Sequence, residues 1–210
     1  MNTLELRLAG AAGQGDPTGA DRRTDPAIER LRAAVARGAQ ERDLLDVAYR
    51  TLDTPVGSLL LAATPVGLVR VAYAREDHDT VLAALAERVS PRILRAPARL
   101  DDAARQLDAY FAHQRHGFTI PLDLRLAHGF RRTVLEQLSD VAYGRTVSYA
   151  ELAAGVGNPR AVRAVGTACA TNPLPLLIPC HRVVRSDGTP GGYVGGPQAK
   201  RVLLDLEHAV

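Results

Sequence analysis

The chain has 210 residues, 46% of them hydrophobic, and 26 basic against 23 acidic side chains give it a formal charge of +3, enough material for one good core or two small ones. With no run of about 18 apolar residues and no basic-then-apolar leader, neither a membrane span nor secretion is indicated, and the cytoplasm is the expected compartment. Cys169 and Cys180 are the only cysteines, too few for a disulfide framework or a Cys-rich structural zinc site, whereas a cationic charge that is nearly all arginine, with Lys200 the sole lysine, permits a nucleic-acid partner without establishing one.

Met1 to about Thr24 is rich in Gly, Ala and Asp with little apolar periodicity, which predicts a flexible tail. Residues 25–46 read as a helical extension. From Pro26 to about Asp46, Ile28, Leu31, Val35 and Ala39 recur at helical spacing, a thin stripe that predicts peripheral packing. Thr-Pro-Val-Gly occurs at Thr54–Gly57 and again at Thr64–Gly67, separating three β-rich runs near Val47–Leu52, Ser58–Ala63 and Leu68–Tyr73. Proline followed by glycine in such a gap is turn chemistry, so an antiparallel meander is predicted. Helices follow at about His78–Arg88 and Asp101–Ala112. A short strand near Phe118–Leu122 comes next, and Pro121 confines it to an edge or an end. Residues 47–124 therefore read as a small α+β domain.

From about Ala127 the pattern turns helical, and residues 127–210 read as a second domain, so the fold class is α+β with a mostly helical C-terminal half. Phe130, Val134, Leu135 and Leu138 form one stripe, and Gly144–Val147 connects to the next unit. Ser148 and Glu151 fit a capping box, opening a helix that stops at Gly155–Gly157. Asn158 offers a second cap, with Pro159 at the first helical position where its missing N–H costs nothing. Two short helices about a glycine turn predict a helix-turn-helix. On its second helix Val162, Val165 and Cys169 share a core-facing stripe, which makes Cys169 a buried, inert thiol. Arg160, Arg163 and Thr167, interleaved with Ala164 and Ala168, take another side. Small side chains let a helix approach DNA closely while arginines meet phosphates or bases, although a solvated amphipathic helix shows the same pattern.

Pro179-Cys180-His181-Arg182-Val183-Val184 then sets a thiol beside an imidazole. A free cysteine is only roughly a few per cent thiolate at neutral pH, and a partnered one can be largely ionised. Alone, such a pair is more often a packed thiol than a nucleophile. Its surroundings change that balance. Asn158-Pro159-Arg160-Ala161-Val162-Arg163-Ala164-Val165-Gly166 and Asn172-Pro173-Leu174-Pro175 precede it, and Gly192-Tyr193-Val194-Gly195-Gly196 runs on to Glu207. In this order the motifs resemble the O6-alkylguanine-DNA alkyltransferases, or methylated-DNA–protein-cysteine methyltransferases. The segment from about Leu45 to Leu124 looks more loosely like that family's N-terminal domain.

The resemblance implies that Cys180 attacks the alkyl carbon on O6 of guanine and keeps the group as a thioether, so that each molecule acts once, with no metal and no cofactor. Some members of the family carry zinc in the N-terminal domain; no ligand set for it is found here. His181 and Glu207 match the histidine that deprotonates the cysteine through a water and the glutamate that orients it. Asn172 matches the asparagine that ties the helix-turn-helix to the active-site loop. Tyr149 matches a tyrosine that gives a proton to guanine N3, and Arg163 an arginine that fills the gap left by a flipped nucleotide. Val183 and the loop Gly191–Gly196, with Tyr193, Val194 and Gly195, wall the base pocket. Val194 stands where some members have serine, so a hydroxyl contact is absent while the backbone N–H remains. Leu135 stands where many have tryptophan, a matter of packing. The implied partner is double-stranded DNA carrying O6-alkylguanine, bound by a monomer away from any membrane. The residues do not rank methyl against bulkier groups, or guanine O6 against thymine O4.

Three other functions fit less well. A binding protein of the same fold would lack the nucleophile that Cys180 supplies. A Cys-His hydrolase leaves the helix-turn-helix and Arg163 unexplained. A regulator reading DNA sequence needs base-edge hydrogen bonds that Ala161, Ala164 and Ala168 cannot make.

Overall fold

Asp25 accepts the amide of Ala27 at 2.8 Å and Pro26 occupies the first turn, opening helix α1 (Pro26–Glu41). The computed structural model describes residues 25–208, so the tail expected over 1–24 lies outside the described residues. α1 stops short of Asp46 because Asp43 adopts a left-handed φ of 55° and the Leu44 N–H reaches back to Ala39. Its apolar stripe faces solvent: Ile28, Leu31 and Val35 are exposed, and Ala36 makes the buried contact. An ion pair between Glu29 and Arg95 ties the helix to the edge of the sheet.

Strands β1 (Val47–Thr54), β2 (Gly57–Ala63) and β3 (Leu68–Tyr73) form the expected antiparallel meander, with both Thr-Pro-Val-Gly motifs at its turns. Helices α2 (His78–Arg88) and α3 (Asp101–Phe111) follow. Between them β4 (Ile93–Arg95), absent from the sequence reading, pairs in parallel with β1 and completes a sheet of order β3-β2-β1-β4. β2 is covered on both faces. Leu59 and Leu61 enter the larger core with Leu107 and Tyr110 of α3, while Leu60 and Ala62 meet Val81 and Leu85 of α2. A strand buried on both sides has no need of polar alternation.

The strand expected at Phe118–Leu122 does not form. Leu122 makes a single bridge to Leu68, where the Leu68 N–H donates to the Pro121 carbonyl at 2.8 Å and the Asp123 N–H to Leu68 at 2.8 Å. Pro121 has no N–H with which to extend a ladder. The two backbones come so close there that a side chain on Gly67 would run into the Pro121 carbonyl.

The second half comprises α4 (Gly129–Ser139), β5 (Val147–Ser148), α5 (Tyr149–Gly155), α6 (Val162–Ala170), β6 (Val183–Val184) and α7 (Gly196–His208). The capping box is present: Ser148 Oγ accepts the Glu151 N–H at 3.1 Å, and the Glu151 carboxylate accepts the Ser148 N–H at 2.7 Å. Asn158 does not cap α6. Its carbonyl accepts the Ala161 N–H at 2.9 Å in a separate turn, and the helix opens only at Val162. Two face assignments change with that start. Val162 is exposed and Ala168 buried, so the inward stripe is Val165, Ala168 and Cys169, packed with Val134, Leu135 and Leu138 of α4 and Leu152 and Ala153 of α5. Arg160 sits in the turn, off the helix.

Candidate active site

The two-residue parallel ladder of β5 and β6 pairs Val147 with Val183 and Ser148 with Val184. It brings Tyr149, the first residue of α5, up to the single 3-10 turn formed by Cys180–Arg182. Asn172, fully buried just past α6, shapes the loop between. Its Oδ1 accepts the Leu174 N–H at 2.9 Å; its Nδ2 donates to the Ile178 carbonyl at 2.9 Å and to Cys180 Sγ at 3.2 Å.

Cys180 is 2% exposed. Burial pushes its thiol up to about 11, against the opposing pull of the Asn172 N–H and the charge on Lys200, so the resting sulfur is protonated at neutral pH. His181, wholly buried, meets Glu207 through Nε2 at 2.8 Å. Burial drives the imidazole below its ordinary range although Glu207 pulls the other way. Its Nδ1 is buried and has no hydrogen-bond partner among the described residues.

Glu207 collects donors from four directions. Oε1 accepts from Tyr110 at 2.7 Å, from His181 at 2.8 Å and from Arg182 Nη2 at 2.9 Å; Oε2 accepts Arg182 Nε at 2.9 Å and the Gly144 N–H at 3.2 Å. Burial opposes ionisation, but the hydrogen bonds from His181 and Arg182 outweigh it and hold the carboxyl far below the usual carboxylate range. The sequence reading missed Arg182, Tyr110 and Lys200. Lys200 shares a face of α7 with Leu203 and Glu207, at helical spacing i, i+3 and i+7, and is fully buried. Its Nζ donates to the Val183 carbonyl at 2.5 Å and to Gly191 at 3.4 Å. A lone lysine on that stripe was the available signal.

The glycine loop rests on two tyrosines. A side chain on Gly191 would collide with the Tyr149 hydroxyl, and a Cβ on Gly195 would lie 2.6 Å from the Tyr73 ring. Tyr73, at the end of β3, also meets Tyr193 hydroxyl to hydroxyl at 2.6 Å, a contact that no sequence pattern announced. Val194 lines a cleft together with Arg70 and Asn172.

Cys180, His181, Asn172 and Glu207 thus come together in one buried cluster, bordered by Tyr149, Val183, Tyr193 and Gly195. Arg163, Ala164 and Thr167 lie on the exposed side of α6 and Arg160 is exposed in the turn before it. Among the described residues no group of three or more His, Cys, Asp or Glu side chains is placed to hold a metal ion, and no helix is long and apolar enough to cross a membrane.

Fold and site define a helix-turn-helix protein with a buried thiol, imidazole and carboxylate directly behind its second helix. Comparison with known proteins agrees. Residues 129–209 match the family model of the 6-O-methylguanine DNA methyltransferase DNA-binding domain, and residues 47–124 that of the ribonuclease-like domain of the same enzymes. The methylated-DNA–protein-cysteine methyltransferase of Mycolicibacterium paratuberculosis is 38% identical over 161 residues, covering 77% of this chain and 92% of the relative. The constitutive enzyme of Bacillus subtilis is 36% identical over 160 residues, 76% of this chain and 94% of its own. Among solved structures, Mycobacterium tuberculosis O6-methylguanine methyltransferase superposes with a TM-score of 0.69 at 37% identity, covering 78% of this chain and 93% of that one. The OGT of the same organism in complex with DNA gives 0.67 at 37% identity, over 77% and 93%. The chain belongs to the 6-O-methylguanine DNA methyltransferase family, DNA-binding repair enzymes that act as methylated-DNA–protein-cysteine methyltransferases.

Proposed function

We propose that this chain repairs duplex DNA by direct reversal, moving a methyl or larger alkyl group from O6 of guanine, or from O4 of thymine, onto Cys180 after the damaged nucleotide has flipped out of the stack. One observation carries the reading: a buried cysteine and histidine share a site with an ionised glutamate on the histidine and an asparagine N–H on the sulfur. Residues 127–210 carry DNA binding and transfer, residues 47–124 form a supporting α+β domain, and a cytoplasmic monomer suffices.

An ionised Glu207 can only accept, so His181 Nε2 bears the hydrogen and Nδ1 the basic lone pair. A water between Nδ1 and Sγ passes the thiol proton to the imidazole. The S–C bond forms as the C–O6 bond breaks, and the electron pair moves onto guanine, which takes a proton at N3 from Tyr149. Burial raises the Tyr149 phenol, so it holds its proton until the leaving base becomes basic, and the proton on His181 restores it. Thiol and O6-alkylguanine become thioether and guanine, in balance. A thioether offers no activated leaving group, so the alkyl group stays and the protein acts once. Lys200 and the Asn172 N–H oppose the cost of placing negative charge on a buried sulfur.

Arg163 supports flipping from the exposed face of α6. Extruding a nucleotide costs a few kcal/mol, and an inserted guanidinium offsets part of that by stacking. Arg163→Ala should therefore slow repair of O6-methylguanine duplex about tenfold more than it slows reaction with free O6-benzylguanine, a difference of about 1.4 kcal/mol. Equal losses would contradict the role.

Because burial depresses the imidazole, it is mostly neutral at pH 6.5. The acid limb of the transfer rate should fall beneath its ordinary value of about 6.5, with a level rate from there to about pH 8. An acid limb at or above pH 7 would remove His181 as the base. The deciding experiment for the whole reading is incubation with radiolabelled O6-methylguanine DNA followed by peptide mapping. One label per chain on the peptide containing Cys180 is expected; catalytic turnover of small esters or amides, with no label, would point to a Cys-His hydrolase.

A further inference from the structure

A cleft of about 390 Å³ opens between α2 and the C-terminal end of α6. Three arginines line it: Arg70 from β3, Arg88 from α2 and Arg131 from α4. One carboxylate shares the cleft, Glu76, and it is ion-paired to Arg70 while also accepting the Tyr73 N–H at 2.9 Å. Arg131 donates to the Leu126 carbonyl. Among the described residues neither Arg88 nor Arg131 lies within ion-pair distance of a carboxylate, so two positive charges stand uncompensated in a concavity floored by Ala84, Ala170 and Thr171.

The cleft also continues the outer face of α6. Arg163, Thr167, Ala170 and Thr171 fall at i, i+4, i+7 and i+8, one stripe of the helix, and all four are exposed. Between Arg163 and Thr171 that stripe climbs about 12 Å, the axial span of roughly three or four phosphates of one DNA strand. A strand laid along the stripe towards Thr171 arrives at the arginines. Small side chains at Ala84 and Ala170 leave room for a sugar-phosphate backbone.

We propose that Arg88 and Arg131 clamp a backbone phosphate of the DNA strand that runs off the C-terminal end of α6, extending the DNA footprint from the helix-turn-helix onto α2 in the sheet-containing half. The inference rests on the DNA-repair reading above and adds a contact to it. Asn172, which lines the same cleft, donates to Cys180 Sγ, so a phosphate seated there fixes the strand close behind the reacting thiol.

Affinity for a short duplex bearing one O6-methylguanine, measured against salt on a Cys180→Ala background that leaves the lesion intact, tests the clamp. Arg88→Gln should lower the slope of log K against log salt by up to about 0.9, the contribution of one phosphate contact, and Arg88→Gln with Arg131→Gln by about 0.9 in all, because both arginines hold the same phosphate. Arg88→Lys, which keeps the charge, should keep the parent slope. So should Arg105→Gln, on α3 and paired to Asp102 outside the cleft. Arg88 is exposed on α2 and its substitution leaves the core intact, so the single variant decides the matter even if the double one unfolds. A parent slope in Arg88→Gln overturns the clamp. A parent chain whose own affinity ignores salt would overturn the DNA-binding reading beneath it, a different result.

Discussion

Cys180→Ala should accept no methyl group from O6-methylguanine DNA, with intact mass unchanged after incubation, while binding that DNA as tightly as the parent. The side chain is small and its loss leaves the loop's scaffold in place: Asn172 still holds the Ile178 carbonyl and the Leu174 N–H. Removing one buried sulfur should cost about 1 kcal/mol, comparable to trimming a single methyl group from a core. Loss of transfer would therefore not be loss of fold. Cys169→Ala makes the matching control. That thiol is buried on the inward face of α6 and is pushed up to about 12, first by burial and then by repulsion from Cys180. The Cys169 variant should transfer the full stoichiometric methyl, and a methyl found on Cys169 in the Cys180→Ala protein would sink the assignment.

What the sequence made legible was local. The meander, α2, α3 and the Ser148–Glu151 capping box are set by residues within a few positions of one another, and turn chemistry or helical spacing suffices to place them. β4 escaped because three residues in parallel with β1 carry no alternation to read. The supposed strand at Phe118–Leu122 fails through Pro121, whose missing N–H limits it to one bridge with Leu68. At α6 the Asn158 carbonyl closes a turn on Ala161 before the helix can begin, and the core-facing stripe shifts accordingly. The site divides in the same way. Cys180, His181, Asn172 and Glu207 entered through resemblance of motifs. The groups that surround them did not, since Tyr110 reaches Glu207 from 97 positions away and Tyr73 reaches Tyr193 across 120. A buried Lys200 likewise acquires meaning only once Val183 and Gly191 turn their carbonyls towards it.

Glu207→Gln should produce the second large effect, on stability and on chemistry together. The carboxylate is all but unexposed, and it neutralises Arg182, itself 8% exposed in its side chain. Breaking a buried pair by removing one partner costs about 3–5 kcal/mol, because the remaining charge is left unpaired; for a chain of this size that corresponds to a fall in Tm of about 6–20 °C. The sign with pH follows from the depressed carboxyl. Its contribution is present above the unfolded value of 4.5 and is lost as pH falls from there towards the folded value. The parent should therefore lose this stability on acidification below pH 4.5, and Glu207→Gln, lacking the carboxyl, should lose less over the same interval. On the chemical side, an amide no longer fixes the hydrogen on His181 Nε2, since Gln can turn an N–H towards the ring. The imidazole then has no defined basic nitrogen to take up the thiol proton through water, and transfer should slow by about 10²–10⁴-fold. Arg182→Met with Glu207→Leu separates the two effects. Removing both charges should recover part of the lost Tm, but with no carboxylate on His181 the transfer rate should stay low. A double variant that regained the parent's rate along with its stability would show that Glu207 serves the fold alone.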